Sequence, residues 1–510
     1  MASGSQQLTP GLTSHYNNTA SVSATPSTLQ GSQGSRHQSE MKGQMEDEIR
    51  DATYVVDLTK ENGILRADSR IVDIVITDLR TTFQALTSGG ESSATDPRLP
   101  RNSFSGEHQS YEPLSHLLNK IITTAIPYIS QSLLCDLRFH AFGDEVKELH
   151  GSLKRLKPDG VGIFGDLPTV PNELAEGPNE PAEGPAEERS TMPRLSWEQV
   201  EIVFESKATI RDMVRQSGTY ARCCILSNQR RFFSLGMGFQ FKKLEAYVFA
   251  FHHGGLSSSG PLKITTEEGF KGLVKHIVGI LSIKDETAYG LDPTRFQNFF
   301  CINNRYYESV RFLHVRGTLR GSSTIVHSLE GMFMRILSAA LHLFIACPAI
   351  NWVPHPNMKS RTLTLAQGIT DLPSTLTYKL TYQIKGHSRE GPLLSQFNGQ
   401  FGIADVIGYH ECGTEDPHGS TSRLLNDAEF WRVFEQKDGR RHEPEERGLQ
   451  CIALSGEGMA LVDLHKTDGG KPSPSELLES ILHAIIGKWY SLYAPLSTHV
   501  CRSRSLQAIR

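Results

Sequence analysis

The residues that most constrain the fold lie between Trp197 and Phe241. Apolar side chains occupy every second position from Val200 to Phe204, and this period of two predicts a strand. Glu205 and Lys207 then project from one face of that strand, about 7 Å apart along its length. A helical pattern and a second strand pattern follow. The segment therefore predicts a strand–helix–strand unit with a carboxylate and an ammonium on one side of its first strand.

A second candidate motif lies upstream, where Asp159 is followed by the short apolar run 161–164. An Asp at one strand and a Glu-x-Lys on the next resembles the PD-(D/E)xK nuclease-like fold. This resemblance implies that Asp159 and Glu205 hold a divalent cation through oxygen, while Lys207 orients or polarises the attacking water. The alternative stays open that Glu205 and Lys207 are surface side chains on a half-buried strand.

In nuclease-like folds an acidic residue from the preceding helix can complete the metal site. A helix is predicted from Tyr111 to Ile129, because apolar residues there recur every three or four positions. Glu112 and Glu145 are the two candidates for the additional carboxylate. For both, a solvated surface position is the alternative.

A longer stretch of the chain resembles the fungal-type protein kinase family, whose members carry such an N-terminal region ahead of a divergent kinase domain. The matching segments are KPDGVGI (157–163), WEQVEIVFESKA (197–208), YARCCILSNQRRFFSLGMGF (220–239) and YGLDPTRF (289–296). The resemblance extends roughly from Tyr111 to Thr324, and it implies ATP-dependent phosphoryl transfer to Ser or Thr of proteins. One departure is the turn Phe251–Gly254, which reads Phe-His-His-Gly where the family tends to have an Asp-Arg-Ser-Gly-like turn.

Residues 312–324 resemble the glycine-rich loop of that family, in which backbone amides donate hydrogen bonds to nucleotide phosphates. Gly317, Gly321 and Thr324 are the candidate ATP contacts in this loop. A simple hairpin turn is the alternative interpretation. The sequence contains no G-x-x-x-x-G-K-[S/T] motif, so a P-loop NTPase is not supported.

Residues 376–394 resemble the lysine strand and the glutamate helix of a kinase N-lobe. This match places Lys379 as the lysine that binds ATP phosphates, with Mg²⁺ accompanying the nucleotide, and Glu390 as its ion-pair partner. Lys385 is the alternative lysine, and a solvent-exposed lysine is the ordinary interpretation of either. The preceding segment from Leu329 to Ser374 matches nothing in the family.

The last predicted helix begins at the capping box Ser473–Glu476, which has Pro at the first helical position. In the kinase family this helix leads into the catalytic loop. Here no Asp follows Asp468, so the catalytic base and the metal-binding side chains of a kinase are expected to be missing. The resemblance therefore implies a truncated, catalytically inactive relative of the kinases.

Composition excludes several classes of protein. A formal net charge of −4 over 510 residues gives no basic field that would attract nucleic acid or an anionic membrane. Eight cysteines without a Cys-x-x-Cys spacing predict neither a disulfide framework nor a zinc ribbon, and they suit a reducing compartment. We find no signal-peptide pattern in residues 1–40 and no apolar run long enough to span a bilayer. An intracellular protein, cytoplasmic or nuclear, is expected.

The predicted fold class is α+β, with a mixed-sheet nuclease-like domain followed by an incomplete kinase-like lobe. The predicted segments are a disordered tail (1–40), a helical region (41–130), the nuclease-like domain (131–300), its disordered acidic insertion (168–196), the kinase-like domain (305–495) and a tail (496–510). The insertion is rich in Pro, Glu and Gly. Its negative charge argues against nucleic acid lying nearby, because like charges repel.

Three functional hypotheses follow from these patterns. The first is a kinase relative that has lost phosphoryl transfer and retains a binding role, with ATP and Mg²⁺ as its implied cofactors. The second is a metal-dependent nuclease that uses Asp159, Glu205 and Lys207. The third is a non-catalytic interaction module with an unidentified protein partner. Metal binding separates the second hypothesis from the third, and nucleotide binding separates the first from both.

Overall fold

The structure, a computed structural model, has an α+β fold built on two sheets, one mixed and one antiparallel. It describes residues 43–87, 104–142, 149, 156–167, 195–316, 318–320, 323–332, 358–385, 390–399, 404–411, 419–435 and 443–455. The predicted α+β class is therefore confirmed at this level. The predicted tails, residues 168–194 of the acidic insertion, the middle of the unmatched segment (333–357) and the helix after Ser473 lie outside the described residues.

The strands are short at the sheet edges and long in the sheet centres. In chain order they are β1 (Thr53–Val55), β2 (Leu137–Ala141), β3 (Gly160–Phe164), β4 (Ile202–Lys207), β5 (Phe233–Gln240), β6 (Glu245–His252), β7 (Gly255–Ser258), β8 (Leu262–Lys263), β9 (Arg295–Phe296), β10 (Phe299–Ile302), β11 (Arg305–Arg316), β12 (Thr324–Gly331), β13 (Thr364–Leu365), β14 (Thr375–Ile384), β15 (Val406–Glu411), β16 (Glu429–Phe430) and β17 (Arg447–Leu454). The helices are α1 (43–49), α2 (Ser69–Asp78), α3 (Arg80–Thr87), α4 (Glu107–Ala125), α5 (Ile210–Ser227), α6 (Glu267–Leu281) and α7 (Glu390–Ser395).

The first sheet is mixed and runs in the order β16-β1-β7-β6-β5-β4-β3-β2, with β8 paired to β6. The β4–β5 and β1–β7 pairs are parallel and the others are antiparallel. The parallel β4–β5 pair follows from the strand–helix–strand order, because α5 carries the chain back to the starting edge. All six residues of β4 are buried, so the alternative that Glu205 and Lys207 are surface side chains on a half-buried strand is wrong.

Helices cover both faces of the first sheet at its centre, which explains the burial of β4. Helix α4 packs on the face that carries Ile202 and Phe204, while α5 packs on the face that carries Val203. The predicted apolar stripe of α4 is buried as a unit: Leu114, Leu117, Leu118, Ile121 and Ile122. The helix predicted from Glu267 to Ile283 is observed as α6, with its apolar face in the same core.

The region predicted as mixed helix between Met45 and Leu86 contains three helices and one strand. Strand β1 is the unpredicted element, and it lies between β7 and β16 in the first sheet. Its three residues are too few to display a period of two over the length that a strand prediction needs.

The second sheet is antiparallel and runs in the order β13-β15-β17-β14-β12-β11-β10-β9. Its long hairpin, β11 and β12, contains two register shifts, between Ser309 and Arg311 and between Phe312 and His314. Strand β14 pairs with β12 on one side and with β17 on the other, so it lies near the middle of this sheet.

The two sheets are joined by strand exchange and by side-chain packing. Strand β16, from the predicted kinase-like region, pairs with β1 at the edge of the first sheet. The Trp431 amide also donates to the Thr53 carbonyl at 2.8 Å. Residues far apart in sequence therefore complete the first sheet. None of the helices within the described residues is both long and apolar enough to cross a membrane.

Candidate functional site

Three carboxylates surround one lysine ammonium at the end of β4. Lys207 Nζ lies 2.7 Å from Asp159 Oδ2, 2.9 Å from Glu205 Oε2 and 2.7 Å from Glu107 Oε1. Asp159 immediately precedes β3, Glu205 and Lys207 belong to β4, and Glu107 opens α4. Four charged side chains from three elements of the first sheet and its covering helix therefore meet at one point.

Backbone hydrogen bonds between neighbouring segments fix two of these carboxylates. The Asp159 amide donates to Glu205 Oε1 at 3.0 Å, and the Ser206 amide donates to Asp159 Oδ2 at 2.8 Å. Each carboxylate is thus held by the strand that carries the other. Gly160 lets these strands pack, because a Cβ there would lie 2.0 Å from the Phe204 ring.

Glu107 is the site residue that the sequence interpretation missed. It stands one helical turn before Tyr111, so the two side chains share a face of α4, and the Tyr111 hydroxyl donates to Glu107 Oε1 at 3.3 Å. Glu112, one of the two predicted candidates, is exposed on the same helix, and Glu145 lies outside the described residues. Counting back four positions from Tyr111, where the predicted helix begins, is the signal that identifies Glu107.

Burial and mutual repulsion shape the charges in this cluster. Glu205 is fully buried, and burial together with the nearby Asp159 carboxylate raises its pKa well above the usual range, although Lys207 opposes this. Burial alone would lower the pKa of Lys207, but Glu205 and Asp159 outweigh that effect and raise it. Burial also raises the pKa of Tyr111, with Asp159 adding to the effect, so its phenol stays a neutral donor.

The three carboxylates of the cluster are suitable ligands for a hard divalent cation, but in this structure they surround the Lys207 ammonium. Carboxylate oxygens are the ligands that Mg²⁺ prefers, and the buried Glu205 Oε2 accepts no hydrogen bond of acceptable geometry. Among the residues that the structure describes, no group of three or more His, Cys, Asp or Glu side chains is arranged to hold a metal ion. The three carboxylates instead surround Lys207 Nζ.

Of the residues predicted to bind ATP, Thr324 and Lys379 lie on strands of the second sheet, and Glu390 lies on helix α7. Lys379 of β14 forms an ion pair with Glu390, the first residue of α7, and Gln383 Nε2 donates to the same carboxylate at 3.2 Å. The alternative lysine, Lys385, pairs with Glu446 at 2.9 Å. Thr324 begins β12, where its hydroxyl lies 3.1 Å from that of Thr381. Gly317 and Gly321 lie outside the described residues.

The described tip of the glycine-rich loop is anchored to the first sheet and to α1. The Leu319 side chain is only 1% exposed and belongs to a core cluster with Met45 and Ile49. Its amide donates to Glu48 Oε2 at 2.8 Å, and its carbonyl accepts from His253 Nδ1 at 3.1 Å. The loop that resembles a phosphate-binding flap is thus held at residue 319 by four side chains.

The turn Phe251–Gly254, which reads Phe-His-His-Gly, lies where the two sheets meet. His253 stacks on Tyr382 of β14, with ring centroids 3.7 Å apart. The His252 ring lies 3.1 Å from Ser257 Oγ. Burial lowers the pKa of each histidine to about 3, and in His252 the neighbouring His253 adds to this effect. The turn therefore supplies two buried rings, which are neutral near pH 7, to the junction.

Comparison of the chain with protein-family models, with curated proteins and with solved structures found no match. The resemblance to the nuclease-like and kinase families therefore stays a prediction, and the site's geometry has to support any function assigned to it.

Proposed function

We propose that the cluster of Glu107, Asp159, Glu205 and Lys207 is a divalent-cation-dependent centre that hydrolyses phosphodiester bonds of nucleic acid. The observation that carries this proposal is the convergence of three carboxylates on a single ammonium. Buried charges are costly, so a protein rarely collects three carboxylates unless a cation or a reaction uses them.

The proposed roles follow from each group's position and charge. The three carboxylates would hold the ion through oxygen. A bound Mg²⁺ or Mn²⁺ would lower the pKa of a water molecule and stabilise charge on the phosphate. Lys207 has a raised pKa, so it is an ammonium at neutral pH and cannot take a proton from that water. Its role would be to orient the water and to attract the phosphate.

Binding of an ion requires the lysine to withdraw from its present position. Its ammonium lies within 2.9 Å of one oxygen from each carboxylate, where the ion would have to sit. The four-carbon stem of lysine has several rotatable bonds, so the ammonium can move without a change in the backbone. The ammonium would move toward solvent past Glu107, because the Glu107 side chain is 38% exposed, whereas Asp159 and Glu205 are buried.

A pair of variants on one helix tests the proposal. Supercoiled DNA and single-stranded RNA are incubated with the protein and Mn²⁺, and cleavage is followed on gels. We expect cleavage by the wild type, its loss in Glu107→Gln, and full activity in Glu112→Gln, because the Glu112 side chain is exposed on the same helix. Lys207→Ala should slow cleavage on the order of a hundredfold, because a positively charged group beside the phosphate is lost. No Mn²⁺ binding by calorimetry to the wild type would overturn the proposal.

A second candidate function is nucleotide binding by the second sheet. The observation in its favour is the ion pair between Lys379, on a central strand, and Glu390, on the helix that follows. The same pairing orients the phosphate-binding lysine in protein kinases, which the segment resembles. The proposal concerns binding of ATP with Mg²⁺ and not phosphoryl transfer.

Lys379 on β14 and Lys385 in the turn after it provide a matched pair of variants to test nucleotide binding. Titration with a fluorescent ATP analogue should show saturable binding to the wild type. Lys379→Met should weaken it, whereas Lys385→Met should not, because Lys385 is engaged by Glu446. Equal affinity in both variants would contradict the assignment of Lys379. If neither metal nor nucleotide binds, a non-catalytic interaction module is the remaining hypothesis.

A further inference from the structure

We propose that the turn between β5 and β6 (241–244) is a surface that holds a nucleic-acid backbone against the carboxylate cluster. Lys242 and Lys243, in the middle of this turn, bind phosphates that lie a few nucleotides from the bond to be cut. The inference rests on the proposed phosphodiester-hydrolysing centre. It adds a substrate-binding element that contributes no ligand to the metal ion.

The pairing of β4 with β5 places this turn beside the cluster. The two strands are parallel, so their carboxyl ends lie at the same end of the sheet, and Lys207 pairs there with Gln240, the last residue of β5. Neighbouring strands lie about 4.8 Å apart, and each residue advances the chain by at most about 3.4 Å. The backbone of Lys242 and Lys243 therefore lies within roughly 12 Å of the Lys207 backbone.

The exposed carboxylate of the cluster lies at the same end of the sheet. Phe104, three residues before Glu107, packs its ring against that of Phe239, with centroids 5.2 Å apart. Phe239 in turn lies three residues before Lys242. Phosphates of one strand repeat about every 3.4 Å along a duplex, so a nucleic acid bound at Glu107 has phosphates within reach of the turn.

The apolar ends of the turn are packed and its two lysines face solvent. Phe241 and Leu244 pack against the core that both sheets share, whereas Lys242 and Lys243 are exposed. Neither lysine forms an ion pair with another residue that the structure describes. Both charges are therefore available to a polyanion, whose condensed counterions are released when the lysines replace them.

Hydrogen bonds tie the turn to the segment that follows the cluster lysine. The Lys243 amide donates to the Gln240 carbonyl at 3.0 Å, and Gln240 Nε2 donates to the Ala208 carbonyl at 2.9 Å. Ala208 comes immediately after Lys207. The lysines of the turn are thus presented on a backbone that is fixed relative to the cluster.

The net charge of −4 over the whole chain does not oppose such a contact. At physiological ionic strength the Debye length is about 8 Å, so exposed charges further away than this are largely screened. Local charge near the cluster therefore decides whether a phosphate binds. Because these lysines lie outside the metal site, they should bind substrate and transition state equally, which affects KM and not kcat.

The test measures binding without cleavage. The anisotropy of fluorescently labelled single-stranded DNA and RNA is followed in EDTA as the NaCl concentration is raised. The test variant combines Lys242→Gln with Lys243→Gln. The matched control combines Lys60→Gln with Lys385→Gln, which changes the net charge equally but removes lysines that carboxylates of the chain already engage. Calorimetry with Mn²⁺ follows the metal site in each protein.

We expect the wild type and the control to bind both oligonucleotides alike, and the test variant to bind on the order of tenfold more weakly at low salt. The slope of log K against log salt should be smaller by about 1.4 in the test variant, because two phosphate contacts are lost. In cleavage assays with Mn²⁺, its KM should rise while kcat and the affinity for Mn²⁺ stay unchanged.

Three results would overturn the assignment of the turn: an unchanged affinity and salt slope in the test variant, an equal loss in the control, or no oligonucleotide binding by the wild type. Failure of the proposed centre gives a different result. A wild type that binds oligonucleotide through Lys242 and Lys243 but takes up no Mn²⁺ would overturn the centre and support the surface.

Discussion

The Lys207 ammonium lies 2.7 Å from the Glu107 carboxylate, although one hundred positions separate the two residues in the chain. Glu107 is the most exposed of the three acidic partners, and Asp159 and Glu205 lie behind the ammonium in the core. The lysine therefore lies between two buried acidic side chains and the exposed Glu107, and it closes the cluster toward solvent.

Replacement of Lys207 by Met should destabilise the fold and increase the stabilisation that added Mn²⁺ provides. Loss of the ammonium leaves buried carboxylates without a counter-charge, which costs about 3–5 kcal/mol for a buried pair. Thermal unfolding with EDTA should show a lower midpoint than wild type, and added Mn²⁺ should raise the midpoint of Lys207→Met more than that of wild type. An equal Mn²⁺ shift in both proteins would argue against an ion at the lysine's position.

Stability should depend on pH through Glu205. Its pKa is raised in the folded protein, so between the usual carboxyl pKa and the folded value the native state holds a proton that the unfolded chain has lost. Stability from this group is therefore present at low pH and is lost as pH rises through the folded pKa. Glu205→Gln does not titrate there. Urea unfolding with EDTA should show that wild type loses stability relative to Glu205→Gln as pH rises above the usual carboxyl pKa, whereas parallel curves would contradict the raised pKa.

The histidine pair at the junction should respond to acid in the opposite sense. The pKa of His253 is lowered from 6.5 to about 3, so below pH 6.5 the unfolded chain takes up a proton that the folded chain refuses. Stability is present above pH 6.5 and is lost as pH falls toward 3. His253→Phe keeps a ring against Tyr382 but cannot titrate. Its unfolding free energy should fall less than that of wild type between pH 7 and 4.5, and an equal fall would locate the acid sensitivity elsewhere.

The edge strand β2 depends on one side chain of α4. Asn119 Oδ1 accepts from the Phe139 amide at 2.8 Å, and its Nδ2 donates to the Phe139 carbonyl at 2.7 Å. Ser115 also donates to that carbonyl, so only the amide loses its partner in Asn119→Ala. The cost should be about 1–3 kcal/mol in urea unfolding. Thr123→Ala, exposed one turn further along, is the control and should change stability by less than about 0.5 kcal/mol.

Local sequence patterns predicted the elements that bury a regular apolar face. The stripes of α4 and α6 and the period of two before Glu205 each refer to neighbours within a few positions, and the structure contains all three elements. The Asp before β3 and the Glu-x-Lys on β4 were likewise visible, because each lies beside a recognisable strand.

Contacts between segments that are distant in the chain could not be predicted from local sequence patterns. Glu107 follows a polar stretch, and nothing near it indicates that Lys207 will be its partner. Glu48 and Leu319 are 271 positions apart, so only the packing of α1 against the loop brings them together. Strand β16 has two residues and pairs with β1, which has three. These features are set by tertiary packing, which local preference does not encode.

The pairing of β1 with β16 has a consequence for the order of synthesis. Strand β1, near residue 53, is covered at its outer edge by β16, near residue 430. Most of the chain therefore emerges from the ribosome before that edge can be paired. Until then β1 presents unpaired amides and carbonyls at its outer edge to other nascent chains. A fragment that stops near residue 300 would keep the carboxylate cluster and its lysine but carry this open edge permanently, with self-association as the expected outcome.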